Sequence, residues 1–371
     1  MIKLKEDYTP HPLKWWHWPL LLLLIVGTLY IAHEYQKVGT ATTSAWKTKF
    51  VQQVEGNIFG TIYHITYESQ QNLETGIRHT LQEVDSSLSP FNPHSVITGI
   101  NNNTSTQADK RLAEVVQMAL TISRETDGAF DITVAPLVNA WGFGFKNAEQ
   151  VGQTQIDSIR QFVGYEKLQI TINQPDSVQR EPASGFATIT KQDPRITLDC
   201  SAIAKGYGVD AVGLYLESQG VTNYMVEIGG EVRLRGCNPK GERWHIGVTT
   251  PTDDLLGTNN TMQEVLEVSN ISMATSGNYR NYYEKDNKKY AHTIDPRTGY
   301  PVQHSILSAT VLAQDCAMAD AYATAFMVEG LERAKHILGS HPELKAYLIY
   351  TDEKGKLQTW YSEGLIDKKG S

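Results

Sequence analysis

Two oxygen-bearing side chains, Asp320 and Thr324, lie four residues apart in the segment 318–325. In a helix this spacing places them on one face, one turn apart. A carboxylate and a hydroxyl are oxygen ligands of the kind that Mg²⁺ prefers over nitrogen or sulfur. The segment alone also fits a capping aspartate and a threonine bonded back to its own helix, so both interpretations stay open.

A second segment whose residue types could take part in binding or catalysis, residues 197–208, reads TLDCSAIAKGYG. It follows a predicted strand and precedes a predicted helix, which would leave free backbone N–H groups and Lys205 near any anionic group bound there. A plain helix start, with Asp199 or Ser201 as the cap and Lys205 in solvent, explains the same residues.

Downstream, the glycine pair in Glu227-Ile228-Gly229-Gly230-Glu231 lies inside a strand pattern. It indicates a β-bulge, or a place where a ligand approaches the backbone.

A third segment combines a histidine with a rigid turn. Residues 290–301 read YAHTIDPRTGYP, and the Asp-Pro-Arg-Thr-Gly run is typical of turns that hold one shape. Asp295 follows His292 closely enough to orient an imidazole that acts as a general acid or base near neutral pH. A structural histidine in a turn is the alternative.

The periodicity of apolar residues predicts the elements that must position these groups. Strands and helices are interspersed without a strict strand–helix–strand repeat, which favours an α+β fold over a doubly wound sheet. Three-to-four spacing predicts helices over 73–88 and 112–122, and further helices are expected over 206–218, 317–327 and 332–338. Alternating β-branched and aromatic residues predict a strand over 59–67, and further strands are expected over 167–172, 195–198, 224–236, 244–248 and 308–312.

The N-terminal part contains an apolar run, residues 15–32, that reads WWHWPLLLLLIVGTLYIA. Its length is close to the ~20 residues of a membrane-spanning helix, with tryptophans at one end and Tyr30 at the other, as in interfacial belts. We predict one transmembrane anchor, with the large body outside the cytoplasm because N-terminal signal-anchors commonly export the domain on their C-terminal side. A cleaved signal peptide is the alternative, although no small-residue exit site follows Ala32.

Composition excludes several classes of protein. The formal net charge is −8, and no basic cluster interleaved with aromatic residues occurs, which argues against a nucleic-acid partner. The three cysteines form no C-x-x-C pair, which argues against a zinc ribbon, a redox dithiol and a disulfide framework.

Taken in order, the segments resemble the ApbE family of FAD:protein FMN transferases, and the resemblance covers residues 56–334. The motifs that carry it are Phe59-Gly60-Thr61, Leu88-Ser89-Pro90-Phe91 with Ser95 and Asn101, Asp127-Gly128-Ala129-Phe130-Asp131-Ile132-Thr133, residues 199–206, Glu227-Ile228-Gly229-Gly230, Ala274-Thr275-Ser276-Gly277, residues 292–301 and residues 320–325. The implied fold has ApbE-like mixed sheets with packed helices after the anchor. The implied divisions are a cytoplasmic start and anchor over 1–36, a linker over 37–52, the transferase domain over 53–365 and a tail over 366–371.

The resemblance also implies a set of site residues. Those matching family positions that line FAD are Phe59, Phe91, Ala129, Phe130, Asp131, Asp199, Lys205, Glu227, Thr275, Ser276, Gly277 and Ile294. Those implied for Mg²⁺ are Asp320 and Thr324, with the backbone carbonyls of Ala202 and Ala323. His292, with Asp295, is implied as the catalytic pair, either activating the incoming hydroxyl or carrying FMN transiently.

The activity implied by the resemblance is cleavage of FAD and transfer of FMN to a threonine or serine hydroxyl of an acceptor protein, with release of AMP. The expected acceptor is a flavin-carrying subunit of a membrane redox complex, and the expected location is the bacterial inner membrane with the catalytic domain in the periplasm or otherwise outside the cytoplasm. Two other functions use the same residues. These are flavin binding without transfer and Mg²⁺-dependent hydrolysis of FAD to FMN and AMP.

Overall fold

The computed structural model of the protein describes residues 50–143, 152–173, 185–249, 262–277, 282–285, 288–291, 293–303 and 305–365. Its helices are α1 (Glu74–Leu88), α2 (Val96–Asn101), α3 (Lys110–Glu125), α4 (Ala135–Ala140), α5 (Gln153–Arg160), α6 (Ala204–Ser218), α7 (Cys316–Glu329) and α8 (Leu331–Ser340), with a 3-10 turn at Tyr165–Lys167. Its strands are β1 (Val51–Ile58), β2 (Thr61–Glu68), β3 (Gln107–Ala108), β4 (Leu168–Ile172), β5 (Ala187–Lys191), β6 (Tyr224–Ile228), β7 (Glu231–Arg235), β8 (Trp244–Thr249), β9 (Met262–Val268), β10 (Ile271–Gly277), β11 (Tyr282–Lys285), β12 (Lys288–Ala291), β13 (Ile294–Asp295), β14 (Tyr300–Pro301), β15 (Ile306–Ala313), β16 (Lys345–Thr351) and β17 (Leu357–Tyr361).

The largest sheet of the described residues is antiparallel and runs in the order β1-β2-β6-β7-β10-β15-β16-β17. Alternate residues of β6, namely Tyr224, Val226 and Ile228, are buried, as expected for a strand with one face on the core. Helices α6 and α7 pack together, and both contact this sheet. The arrangement confirms a mixed fold of antiparallel sheets and packed helices.

Helix α7 is buried on nearly all sides, because it lies between the sheet and the other helices. It is rich in alanine, which lets neighbouring backbones approach closely. The closest approach is at Gly206 of α6, where an added Cβ would lie 2.4 Å from the carbonyl oxygen of Cys316. Glycine at this position therefore permits the crossing of α6 and α7.

Three sequence predictions of strands need correction. Residues 195–198 form no strand in the described structure, and Leu198 is held instead by the Asn101 side chain, whose Oδ1 accepts from the Leu198 N–H at 2.7 Å. The predicted strand 224–236 is two strands joined by a tight turn at Gly229 and Gly230, both with positive φ, so the glycine pair is not a bulge. Residues 59–60 form the turn of a hairpin whose first strand, β1, the sequence interpretation missed.

Among the described residues, no helix is long and apolar enough to cross a membrane. The predicted anchor, residues 15–32, lies outside the described residues.

Candidate active site

A cavity of about 580 Å³ gathers most of the predicted site residues. Those lining it are Ala129, Phe130, Asp131, Asp199, Ala202, Lys205, Thr275, Ser276, Gly277, Ile294, Asp320 and Thr324. We call the side formed by Ala202, Lys205, Glu231, 275–277, Asp320 and Thr324 the polar wall. We call the side formed by 129–138 and 293–296 the loop wall.

The Asp320 carboxylate of the polar wall is fixed by the start of α6. The backbone N–H of Gly206 donates to Asp320 Oδ2 at 3.2 Å, across the close crossing of α6 and α7. Asp320 is only 3% exposed. Burial raises the pKa of this carboxyl, while the Lys205 ammonium and the Gly206 N–H oppose the shift.

Lys205 lies between two carboxylates of the polar wall. Its ammonium forms an ion pair with Glu231 and lies 4.0 Å from Asp320 Oδ1. Burial alone would lower the pKa of Lys205, but the two carboxylates outweigh it and raise that pKa. The ammonium is therefore charged at any physiological pH.

Helix α7 is held at its first turn by a buried carboxylate of α6. Asp210 accepts hydrogen bonds from the backbone N–H groups of Cys316 and Ala317, both at 2.9 Å, and pairs with Arg233 at 2.7 Å. Burial raises the pKa of Asp210 to about 6, against the opposing effect of these donors. This contact satisfies free N–H groups at the α7 N-terminus and fixes the helix that carries Asp320 and Thr324.

The hydroxyls of the polar wall bond across elements. The Thr324 and Ser276 oxygens are 3.1 Å apart, which joins α7 to β10. Thr275 and Thr310 form a similar pair at 2.9 Å between β10 and β15.

The loop wall is organised around Asp131, a buried carboxylate for which the described residues supply no cationic partner. Its carboxylate accepts from the N–H and hydroxyl of Thr133, at 2.8 and 2.7 Å, and from the N–H of Tyr165 at 2.8 Å. Burial raises its pKa to about 6, while the three donors oppose the shift. The Asp199 N–H donates to the carbonyl of Ile132 at 2.7 Å, which joins this segment to the start of the polar wall.

The second half of the loop wall is a turn braced from outside. The Arg297 guanidinium bonds the Asp295 carboxylate at 2.9 Å and Glu329 of α7 at 3.0 Å. Trp141 donates from Nε1 to the carbonyl of Gly299 at 2.8 Å. Asp295 is therefore bonded to the Arg297 guanidinium. The predicted catalytic His292 lies outside the described residues.

Comparison with known proteins decides the family. The sequence model of the ApbE family matches residues 59–348. An FAD:protein FMN transferase from Vibrio cholerae serotype O1 is 37% identical over 311 residues, which cover 81% of this chain and 88% of the relative. An FAD:protein FMN transferase from Escherichia coli K12 is 34% identical over 349 residues, which cover 91% of this chain and 94% of the relative.

The chain belongs to the ApbE family. The solved flavin transferase ApbE from Vibrio cholerae has a TM-score of 0.73 and 34% identity, over 86% of this chain and 99% of that structure. The apo form of the Pseudomonas stutzeri flavinyl transferase ApbE has a TM-score of 0.72 and 27% identity, over 85% of this chain and 95% of that structure.

Five described residues implied by the ApbE resemblance lie away from the cavity lining, and one of them is Asp295, which pairs with Arg297. Phe59 sits in the β1–β2 turn, where its ring contacts Gly208 of α6, and Phe91 is 70% exposed. Glu227 bonds His64 at 2.9 Å and the Gly230 N–H at 2.6 Å. Ala323 is buried in α7, so only its backbone carbonyl is available as a ligand.

Glu231 is the principal residue that the sequence interpretation missed. It is 2% exposed and lines the cavity, and one of its carboxylate oxygens, Oε2, finds no hydrogen-bond partner in the described part of the chain. A strand pattern with a bulge at the glycine pair gave no reason to prefer Glu231 over Glu227. Glu231 directly follows the two glycines of a tight turn and begins β7. This position is the signal that identifies it.

The polar wall suits a hard cation that takes its remaining ligands from water or phosphate oxygens. In the described part of the chain, no group of three His, Cys, Asp or Glu residues could hold a metal ion by itself. Asp320 and Thr324 supply a carboxylate and a hydroxyl, and Ala202 also lines the cavity. Two buried carboxyl groups, Asp320 and Glu231, face the Lys205 ammonium here, and burial raises the pKa of both. These oxygen donors fit Mg²⁺ that keeps water or phosphate oxygens as further ligands.

Proposed function

We propose that this protein is an FAD:protein FMN transferase that moves FMN from FAD to a threonine or serine hydroxyl of an acceptor protein and releases AMP. The observation that carries the proposal is the polar wall, where Lys205 and Asp320 meet in one cavity of an ApbE fold. Curated relatives that are 37% and 34% identical bear the name of this activity.

The polar wall would hold the pyrophosphate of FAD. Lys205 provides a permanent positive charge, and the N-terminal turn of α6 adds the partial charge of its N–H groups. Asp320 and Thr324, with the carbonyls of Ala202 and Ala323, would hold Mg²⁺. When bound, the ion neutralises charge on the phosphate oxygens.

The loop wall would hold the flavin or the adenine. Phe130, Ile294 and Pro296 present apolar surface, while Asp131 keeps its segment in one shape through three hydrogen bonds. The cavity volume lies within the ~300–1,000 Å³ usual for sites that enclose a small molecule. A cavity lined by both apolar and charged side chains suits a ligand with a ring system and a pyrophosphate.

The transfer step needs a group that accepts one proton. The acceptor hydroxyl oxygen bonds to the FMN phosphorus, the phosphorus–oxygen bond to AMP breaks, and the hydroxyl proton must leave. We assign this proton to His292, which directly precedes the loop wall in sequence. The alternative is that His292 carries FMN transiently.

The location and acceptor are also part of this proposal. Residues 15–32 would anchor the protein in the bacterial inner membrane with the catalytic domain outside the cytoplasm. The acceptor would be a flavin-carrying subunit of a membrane redox complex, since such a subunit would share the same membrane.

Incubation of the detergent-solubilised full chain with FAD, Mg²⁺ and a flavin-free subunit of this type tests the function. We expect a fluorescent flavin band at the acceptor's position on a denaturing gel, together with AMP. FMN and AMP without a labelled acceptor would indicate a pyrophosphatase, and bound FAD that stays intact would indicate a flavin-binding protein. Either result would contradict transfer.

His292→Asn separates binding from chemistry. The adjacent turn is held by Pro296, Gly299 and Pro301, so its shape should survive the change. We expect FAD affinity to change little and transfer to fall ~10²-fold or more, the usual effect of losing a positioned acid or base. Collapse of FAD binding with normal turnover of the bound fraction would make His292 a binding residue instead.

A further inference from the structure

Two acidic groups and one basic group meet in the polar wall. Asp320 and Glu231 are both almost completely buried, and among the described residues Lys205 is the cation that pairs with them. Burial raises the pKa of both carboxyl groups, so each depends on a nearby positive charge to stay ionised. A buried carboxylate is costly unless a counter-ion completes the site.

The ammonium is not shared equally between the two carboxylates. Lys205 Nζ is in direct hydrogen-bond contact with Glu231 Oε1, whereas Asp320 Oδ1 is 4.0 Å away. Glu231 can hold this position because it is the first residue of β7, directly after the rigid Gly229-Gly230 turn. Its partner Lys205 lies in the first turn of α6, where the neighbouring Gly206 N–H bonds Asp320.

We propose that Glu231 is a positioning residue that binds the Lys205 ammonium and so keeps it from neutralising Asp320. The charge of Asp320 then remains available to a divalent cation. This inference rests on the magnesium site of the proposed function. Without the Glu231 charge, the nearest carboxylate for Lys205 is Asp320, and a direct Lys205–Asp320 pair would compete with the metal.

The structure also suggests a competing role for Glu231. Its second oxygen, Oε2, has no hydrogen-bond partner among the described residues, so it is free to ligate the cation directly. The two roles predict opposite behaviour when Lys205 is also removed. If Glu231 restrains Lys205, removing the lysine makes Glu231 dispensable for metal binding. If Glu231 is a ligand, its loss persists in the double variant.

The test measures Mn²⁺ binding to the detergent-solubilised full chain without FAD, from the electron paramagnetic resonance signal of free Mn²⁺. Wild type is compared with Glu231→Gln, Lys205→Gln and the double variant. Glu114→Gln, which alters a carboxylate bonded to Tyr207 of α6, serves as the control. Thermal unfolding of each variant checks that it is folded.

We expect Glu231→Gln to weaken Mn²⁺ binding ~10-fold, equivalent to about 1.4 kcal/mol. The double variant should return to within ~3-fold of wild type, and Glu114→Gln should match wild type. Wild-type affinity in Glu231→Gln would overturn the inference, and a double variant as weak as Glu231→Gln would make Glu231 a ligand. Absence of Mn²⁺ binding by wild type would overturn the magnesium site as well, while flavin transfer by the same preparation would show that the proposed activity stands.

Discussion

The two walls of the cavity are built in different ways. The polar wall takes residues from positions as far apart as 202 and 324, and the backbones of α6, α7, β7 and β10 hold them. The loop wall takes residues from two short segments, which turns and side-chain hydrogen bonds to the backbone hold in shape. Charge is therefore positioned by the packing of helices and strands, and the shape of the loop wall by turns and the hydrogen bonds that hold them.

This difference predicts which property of the site a substitution in each wall would change. A change that separates α6 from α7 should displace Lys205 and Asp320 together, because both depend on one helix crossing. A change in the loop wall should alter ligand fit and leave the charges in place.

Gly206→Ala should have the largest effect. The new Cβ would lie 2.4 Å from the Cys316 carbonyl oxygen, so the helices must separate. We expect the free energy of unfolding to fall by about 3 kcal/mol and flavin transfer to be lost. Gly339→Ala in α8, where the Cβ meets open space, is the control and should be neutral or slightly stabilising in urea unfolding. Equal effects of the two variants would contradict the close crossing.

Asp131 should give the loop wall a pH-dependent stability. Its pKa is raised by burial to about 6 in the folded protein, above the ordinary value of 3.8, so the folded state binds this proton more tightly than the unfolded state. The stabilisation is complete below the unfolded pKa and is lost as pH rises through the folded one.

Asp131→Asn removes this titration. Between pH 4 and pH 7, the stability of wild type relative to the variant should fall by about 2–3 kcal/mol, as measured by urea unfolding at each pH. A difference that does not change with pH would show that Asp131 is not the titrating group.

Trp141→Phe should have the smallest effect. It removes the hydrogen bond to Gly299 and should cost about 1 kcal/mol of unfolding free energy, with weaker FAD binding in a fluorescence titration. Trp244→Phe removes a comparable bond to the Arg235 carbonyl away from the cavity. It should cost a similar amount and leave FAD affinity unchanged. If both variants bind FAD equally, the hydrogen bond between Trp141 and Gly299 does not contribute to the FAD-binding conformation of the loop wall.

The same contrast explains what sequence could predict. Amphipathic spacing predicted α1 and α3, because each has one buried face. Residues of the loop wall, such as Phe130 and Ile294, lie in contiguous motifs, so the family resemblance located them directly.

Long-range features were harder to predict. Glu231 became part of the site only because β7 starts after a tight turn, and the same two glycines fit a bulge equally well in sequence. Residues 195–198 have a strand-like composition, but the Leu198 backbone bonds the Asn101 side chain instead of a neighbouring strand. Phe59 and Phe91 match family positions, yet the fold places neither side chain in the cavity lining.

The central claim is that the polar wall carries the transfer chemistry, and single-turnover attachment of FMN to the acceptor tests it most directly. Asp320→Ala should reduce the rate ~10³-fold or more, because the buried carboxylate that holds the cation is lost. Asp315→Ala changes a half-exposed carboxylate at the start of the same helix, 3.6 Å from Arg233, and should stay within ~2-fold of wild type. A folded Asp320→Ala protein that labels the acceptor at the wild-type rate would contradict the account.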